Sequence, residues 1–246
     1  MEFFCVTDIG LKREKNQDSY CSLKNDNDDY LFLVCDGIGG GKAGEVASGE
    51  TIKYFINKFN KANRFESLDN AKDFIEKCIE ESNSEVYKLS HKYKEFQGMG
   101  TTLTGLLFTS FGILSINVGD SRVYGFMDNK LFNLTEDHTL VNDMVKNGEI
   151  TYEESLTHPK RHYLLKAIGV WEEVVPDVHK VQNLTYYMIC SDGLHGYVDA
   201  KEINRIMNQE STCEEKANAL LQAALLQGGY DNITVIVVDN NVWDYC

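Results

Sequence analysis

Proline is nearly missing from this chain, with Pro159 and Pro176 the only two among 246 residues. No Pro-, Gly- or Ser-rich tract separates one stretch from another, so residues 1–246 read as a single domain, and 43% apolar composition suffices for one large core. No apolar run approaches the roughly 18 residues of a transmembrane helix. Met1-Glu2-Phe3-Phe4 leads directly into strand-like sequence, without the basic then apolar order of a secretory leader. The expectation is a soluble cytoplasmic protein. Basic charge is scarce, for 24 Lys and Arg face 38 Asp and Glu, a net −14. Nucleic acids and anionic membranes are bound by Lys and Arg that displace counterions, so neither is the expected partner. The cysteines number seven, an odd count with no Cys-x-x-Cys pair, which indicates neither a disulfide framework nor a zinc knuckle. No cysteine precedes an arginine by six positions, and that removes the phosphate loop of thiolate-dependent phosphatases. Among the six histidines there is no H-E-x-x-H and no zinc-like pairing.

What the chain does have is four acidic islands, each beside an apolar run: Cys35-Asp36-Gly37, Gly119-Asp120-Ser121, Ser191-Asp192-Gly193 and Tyr230-Asp231-Asn232. A lone Asp-Gly is ordinarily a turn former whose carboxylate bonds its own backbone. Four of them at strand ends suggest convergence, and ionised carboxylates held together repel unless cations neutralise them. An all-oxygen donor set of this kind suits Mg²⁺ or Mn²⁺.

Strand-like runs rich in Val, Ile, Phe and Tyr occupy 3–7, 30–35, 102–108, 113–118, 122–127, 174–179, 187–190 and 233–238. The gaps between 102 and 127 are too short for parallel crossovers, so this stretch is expected to be an antiparallel meander. Helical spacing of apolar residues fills 43–58, 68–93, 138–147, 200–208 and 213–227. Runs of strands with helices in pairs between or after them give the α+β class. Gly39-Gly40-Gly41-Lys42-Ala43-Gly44 matches G-x-G-x-x-G, but the prompt return strand of a dinucleotide-binding unit is lacking. Those glycines instead let the backbone pass close to the metals and open a helix. Cys35 and Cys190 read as buried thiols, Asp8 as a turn or network residue, and His138 as a cap-proximal or flap residue, not a ligand.

The segment from Thr7 to Asp18 and the run LFLVCDGIGGGKAGEVAS at 31–48 resemble the PPM/PP2C family of metal-dependent protein Ser/Thr phosphatases, bacterial type. Further similar blocks follow in order: Gly98-Met99-Gly100-Thr101-Thr102, Val118 to Arg122, Glu136 to Leu140, His158-Pro159, Ala167-Ile168-Gly169, Cys190 to Leu194 and Asp231 to Val235. Collinearity over the whole chain makes the likeness specific. It implies a central β-sandwich of two antiparallel sheets flanked by α-helices. It further implies that Asp36 bridges two Mn²⁺ or Mg²⁺ ions, with the Gly37 carbonyl, Asp192 and Asp231 completing the pair. Asp18 would act through metal-bound water, Asp120 with Asp192 would hold a third ion, and Arg13 would bind the substrate phosphate. Arg13, Asp36 and Asp192 are thus the residues expected to carry catalysis. Water between two cations is acidified enough to attack phosphorus directly, without a phosphoenzyme. Residues 138–166 resemble a mobile flap beside the cleft. The family likeness implies a monomer whose partners are phosphorylated proteins, targets of a cognate Ser/Thr kinase. The alternative is a catalytically weak phosphoprotein-binding module of the same fold. Two positions depart from the pattern, Ile38 and Gly41, which stand where many relatives place histidine and so remove a side-chain general acid, whereas Gln17 stands where bacterial relatives carry either Glu or Gln and spares Asp18.

Overall fold

A computed structural model describes residues 1–39 and 43–241; Gly40, Gly41 and Lys42 of the glycine run lie outside the described residues. The chain proceeds through β1 (Glu2–Asp8), β2 (Asp18–Lys24), β3 (Tyr30–Ile38), α1 (Gly44–Phe59), α2 (Leu68–Lys92), a two-residue β4 (Gly100–Thr101), β5 (Leu103–Thr109) and β6 (Gly112–Val118). It continues through β7 (Arg122–Met127), β8 (Lys130–Asn133), α3 (Leu140–Lys146), α4 (Tyr152–Thr157), β9 (Asp177–Val181), β10 (Tyr186–Cys190), α5 (Asp192–His195), α6 (Ala200–Met207), α7 (Cys213–Leu226) and β11 (Ile233–Asp239). One antiparallel sheet has the order β1-β11-β10-β7-β8, the other β2-β3-β5-β6-β9, with β4 on β3. The α+β sandwich expected from the resemblance is therefore the observed fold.

Strand alternation explains the layers, because successive side chains point to opposite faces. Phe32, Val34, Leu106 and Phe108 from one sheet meet Tyr187, Ile189, Ile236 and Val238 from the other in the layer between the sheets. Leu31, Leu33 and Cys35 face the other way and pack with Phe55 of α1 and Ile75 and Ile79 of α2. Met188, Cys190, Val235 and Val237 likewise cover α7 through Ala217, Leu220 and Ala224. In the middle layer Phe108 stands edge-on to both Phe32 and Tyr187, at centroid distances of 5.8 and 5.4 Å, a favoured aromatic arrangement. The buried Tyr187 hydroxyl donates to the Gln182 carbonyl at 2.7 Å and accepts from the Leu184 N–H at 2.9 Å. Cys21, Cys35, Cys78, Cys190 and Cys213 are buried thiols and Cys5 is half-buried. Among the described residues no helix is long and apolar enough to cross a membrane.

The expected meander over 102–127 is corrected. Strands β5 and β6 do pair, but β7 pairs with β10 and β8 in the other sheet. The three residues Gly119, Asp120 and Ser121 form a corner that carries the chain across the sandwich, made possible by Gly119 at φ +111. The strand expected at 174–179 begins only at Asp177, consistent with Pro176 lacking a backbone donor. The helix expected from 138 starts at Leu140, capped by Thr139, whose hydroxyl accepts from the Asn142 N–H. The sequence pattern does not announce strands β2, β4 and β8 or helices α4 and α5.

Phe108→Ala is expected to destabilise the protein by about 3–5 kcal/mol through the cavity left between the sheets. Urea denaturation checks this, and a loss below about 1 kcal/mol would contradict the assigned packing.

Candidate metal centre

The sandwich brings together what the chain keeps apart. Asp18 opens β2 directly opposite Asp36 in β3, Asp192 opens α5 just beyond β10, and Asp231 precedes β11. Asp120 occupies the corner between the sheets. Antiparallel pairing sets the end of β1 and the start of β11 side by side, so the loop carrying Arg13 reaches the same edge, and Arg13 Nη2 donates to Asp231 Oδ2 at 2.6 Å. Arg13, Asp36, Asp120, Asp192 and Asp231 line one cavity of about 340 Å³, joined by Ile38, His162, Leu164 and Tyr197. Asp18 sits beneath, its Oδ2 accepting from the hydroxyls of Ser191 at 2.8 Å and Thr234 at 2.6 Å. Gly37 follows Asp36 and is enclosed by the backbone carbonyls of Gln17 and Gly44, either of which a Cβ there would strike. Every sequence-predicted site residue is thus at this edge.

Burial and like charge act on these acids together. Burial raises the pKa of Asp18 to about 7, partly opposed by its two hydroxyl partners and reinforced by Asp192 and Asp231. Asp36 is pushed well above the carboxylate range, first by burial and then by Asp18, Asp192, Asp120 and Asp231. Asp120 is raised by burial and by Asp192 and Asp137, and Asp192 by burial and Asp231. For Arg13 burial works against the charge, but Asp231, Asp192 and Asp36 outweigh it and the pKa rises. Two oxygens, Asp18 Oδ1 and Asp192 Oδ1, are buried with no hydrogen-bond partner, and a buried, unpartnered carboxylate oxygen is costly. Either protons or cations relieve such a cluster. No three His, Cys, Asp or Glu side chains among the described residues form a ready-made metal cage. The acids instead border a roomy cavity, which fits hard cations that retain much of their water. The donor set therefore fits divalent ions of the Mg²⁺ or Mn²⁺ kind.

Several neighbours carried little sequence signal. His195, on the short helix that starts with Asp192, places Nε2 2.9 Å from the Asp120 carbonyl, and burial pushes its pKa down to about 3, so the neutral ring donates. From the other side His138 Nδ1 accepts from the Gly119 N–H at 3.1 Å, while its backbone N–H bonds the Gly119 carbonyl at 2.9 Å. His138 is thus more than a cap neighbour: it and His195 grip the corner that aims Asp120. Arg122 makes a bidentate pair with Asp137 at 2.7 and 2.6 Å beside the same corner. His162 Nδ1 lies 3.8 Å from Asp192 Oδ2. Asp8 is the turn residue expected, its carboxylate accepting from the Gly10 N–H.

Residues 12–227 match the family model for protein phosphatase 2C. The chain belongs to the protein phosphatase 2C family. It is 34% identical over 238 residues to the serine/threonine phosphatase stp of Listeria monocytogenes serotype 4b, covering 96% of this chain and 94% of that protein. It is 35% identical over 246 residues to a putative 2C-type protein phosphatase of Streptococcus pyogenes, covering 99% of each. The solved structure of the serine/threonine phosphatase Stp1 from Staphylococcus aureus superposes with a TM-score of 0.92 at 35% identity, over 97% of this chain and 94% of that one. As a protein phosphatase 2C, the chain is a PPM-type protein phosphatase dependent on divalent metal.

The raised aspartates bind protons in the folded, metal-free phosphatase at pH values where unfolded aspartates have lost them. Stability therefore falls as pH rises from the ordinary 3.8 through the folded value, about 7 for Asp18. His138 and His195, whose pKa values burial lowers, oppose this trend below about pH 6.5, so the fall is expected between pH 6.5 and 8. In chelator the melting temperature should drop by at least a few degrees over that interval, and Mn²⁺ at pH 8 should restore it. Identical melting at both pH values, unaffected by Mn²⁺, would refute this account of the site.

Proposed function

We propose that this phosphatase hydrolyses phosphoserine and phosphothreonine on proteins, with two Mn²⁺ or Mg²⁺ ions held by Asp36, the Gly37 carbonyl, Asp192 and Asp231. Asp18 would support them through water, and Asp120 with Asp192 would hold a third ion. The observation that carries this reading is the convergence of four aspartates on a cavity that also holds Arg13, with Asp18 beneath them and buried orphaned oxygens on Asp18 and Asp192. When bound, such ions supply positive charge and a water acidified towards neutral pH.

The chain's own residues do the rest. Arg13 presents its guanidinium at the mouth of the cavity, half exposed and hydrogen-bonded at Nη2 to Asp231, so its remaining donors face an incoming phosphate. Asp231 and Asp192 hold that guanidinium charged while it waits. Ile38 offers no proton to the seryl or threonyl oxygen. His162 is the imidazole that lines the cavity among the described residues. Residues 138–166 act as a flap over this edge and bring His162 to it. The full set of acids favours an enzyme over a module that only binds phosphoproteins, and the substrates are phosphoproteins made by a Ser/Thr kinase that the phosphatase opposes.

Asp192→Asn is expected to lower Mn²⁺-dependent kcat/KM on a phosphothreonine peptide by at least about 10³, while raising metal-free melting because one repelling carboxylate is gone. Turnover like wild type in that variant would sink the proposal. Arg13→Ala should raise KM for phosphopeptides about tenfold or more through loss of phosphate bonds, and an unaltered KM in steady-state assays counts against its role.

A further inference from the structure

Phosphoserine and phosphothreonine side chains are short. A phosphate seated in the cavity of Arg13, Asp36, Asp192 and Asp231 draws the peptide backbone down to its rim, and adjacent Cα atoms lie only ~3.8 Å apart along that backbone. The residues flanking the phosphosite must therefore rest on whatever the rim presents.

Beside Arg13 the rim carries two exposed apolar side chains. Leu11, from the loop between β1 and β2, is 65% exposed, and Tyr230, from the loop between α7 and β11, is 51% exposed. The two are joined because the Leu11 N–H donates to the Gly229 carbonyl at 2.7 Å. Tyr230 lies against Tyr197, with ring centroids 5.5 Å apart and planes inclined by 31°, and Tyr197 lines the same cavity as Arg13 and Asp231. A leucine and two tyrosines from three different loops are thus linked at the edge of the cavity, the tyrosines ring to ring and the leucine through its backbone bond to the residue before Tyr230. Scattered exposed apolar residues are ordinary, but a cluster continuous with a polar pocket marks a binding surface.

Resting on the phosphatase reading above, we propose that Leu11, Tyr197 and Tyr230 form a docking ledge for an apolar or aromatic residue flanking the phosphoserine or phosphothreonine. Arg13 and the cations that the acids would hold bind any phosphomonoester, and the ledge adds discrimination by removing one hydrophobic side chain of the substrate from water. Tyrosines suit this role, since a flat ring offers contact area at little entropic cost.

The test uses the full chain loaded with Mn²⁺ and phosphothreonine peptides that differ only in the flanking positions, Phe or Leu against Ser. Rates are referred to p-nitrophenyl phosphate, which has no flanking residue. The wild type is expected to show KM about tenfold lower for Phe- or Leu-flanked peptides. That ratio should fall towards one in the double variant Leu11→Ser with Tyr230→Ser, whose changes are at exposed positions. Equal KM for all peptides, or a ratio that survives in the double variant, overturns the ledge while p-nitrophenyl phosphate turnover leaves the phosphatase reading standing. Absence of any Mn²⁺-dependent turnover overturns both. Were the patch instead a contact between copies, the double variant would lose a dimer by light scattering with the peptide ratio intact, and that result also overturns the proposal.

Discussion

Repulsion among carboxylates packed into one edge of a β-sandwich is the constraint around which the remainder of this molecule is arranged. Asp18 and Asp36 face each other across a strand pair, a placement of like charges that antiparallel sheets ordinarily avoid. Asp192 and Asp231 come from the opposing sheet, and Asp120 comes from the corner that joins the two. Folding a chain with these residues in place concentrates repulsion at that edge unless cations fill it, and the interior must supply the compensating stability.

The interior therefore has a second office. Because each sheet contributes a different pair of acids, the spacing of the site is the spacing of the sheets, and Phe32, Phe108 and Tyr187 set it by their edge-on packing. The corner is controlled separately. Gly119 turns with positive φ, His138 and His195 hold its backbone from two sides, and the Arg122–Asp137 pair fills the adjoining wall. Asp120 receives its aim from the main chain of the corner, which His138 and His195 hold.

Much of this was legible in the order of residues, and the failures have physical causes. Apolar runs such as 30–35 and 233–238 declare themselves as strands because both of their faces are buried. Strand β2, with the sequence DSYCSLK, hides because it lies at a sheet edge and fully buries only Asp18 and Cys21. The corner at Gly119 is invisible because a three-residue gap serves a hairpin as well as a passage between sheets, and only the partners in space decide. The acids were found through local blocks, each carrying its own strand end. Their supports were not, since His195 acts on a carbonyl 75 residues away and Tyr197 meets Tyr230 across two loops. Contacts of that range leave no mark in spacing.

The thiols described in the core give this catalyst a chemical temperament. Burial raises Cys21, Cys78, Cys190 and Cys213 to about 12 and Cys5 to about 11, so at neutral pH the sulfur stays protonated and a poor nucleophile. Peroxide converts exposed thiolates to sulfenic acids and so silences enzymes that attack through sulfur. In the mechanism proposed above the attacking group is water, not sulfur, so oxidation of a catalytic thiolate, the event that halts a cysteine-dependent phosphatase, has no counterpart among the described cysteines.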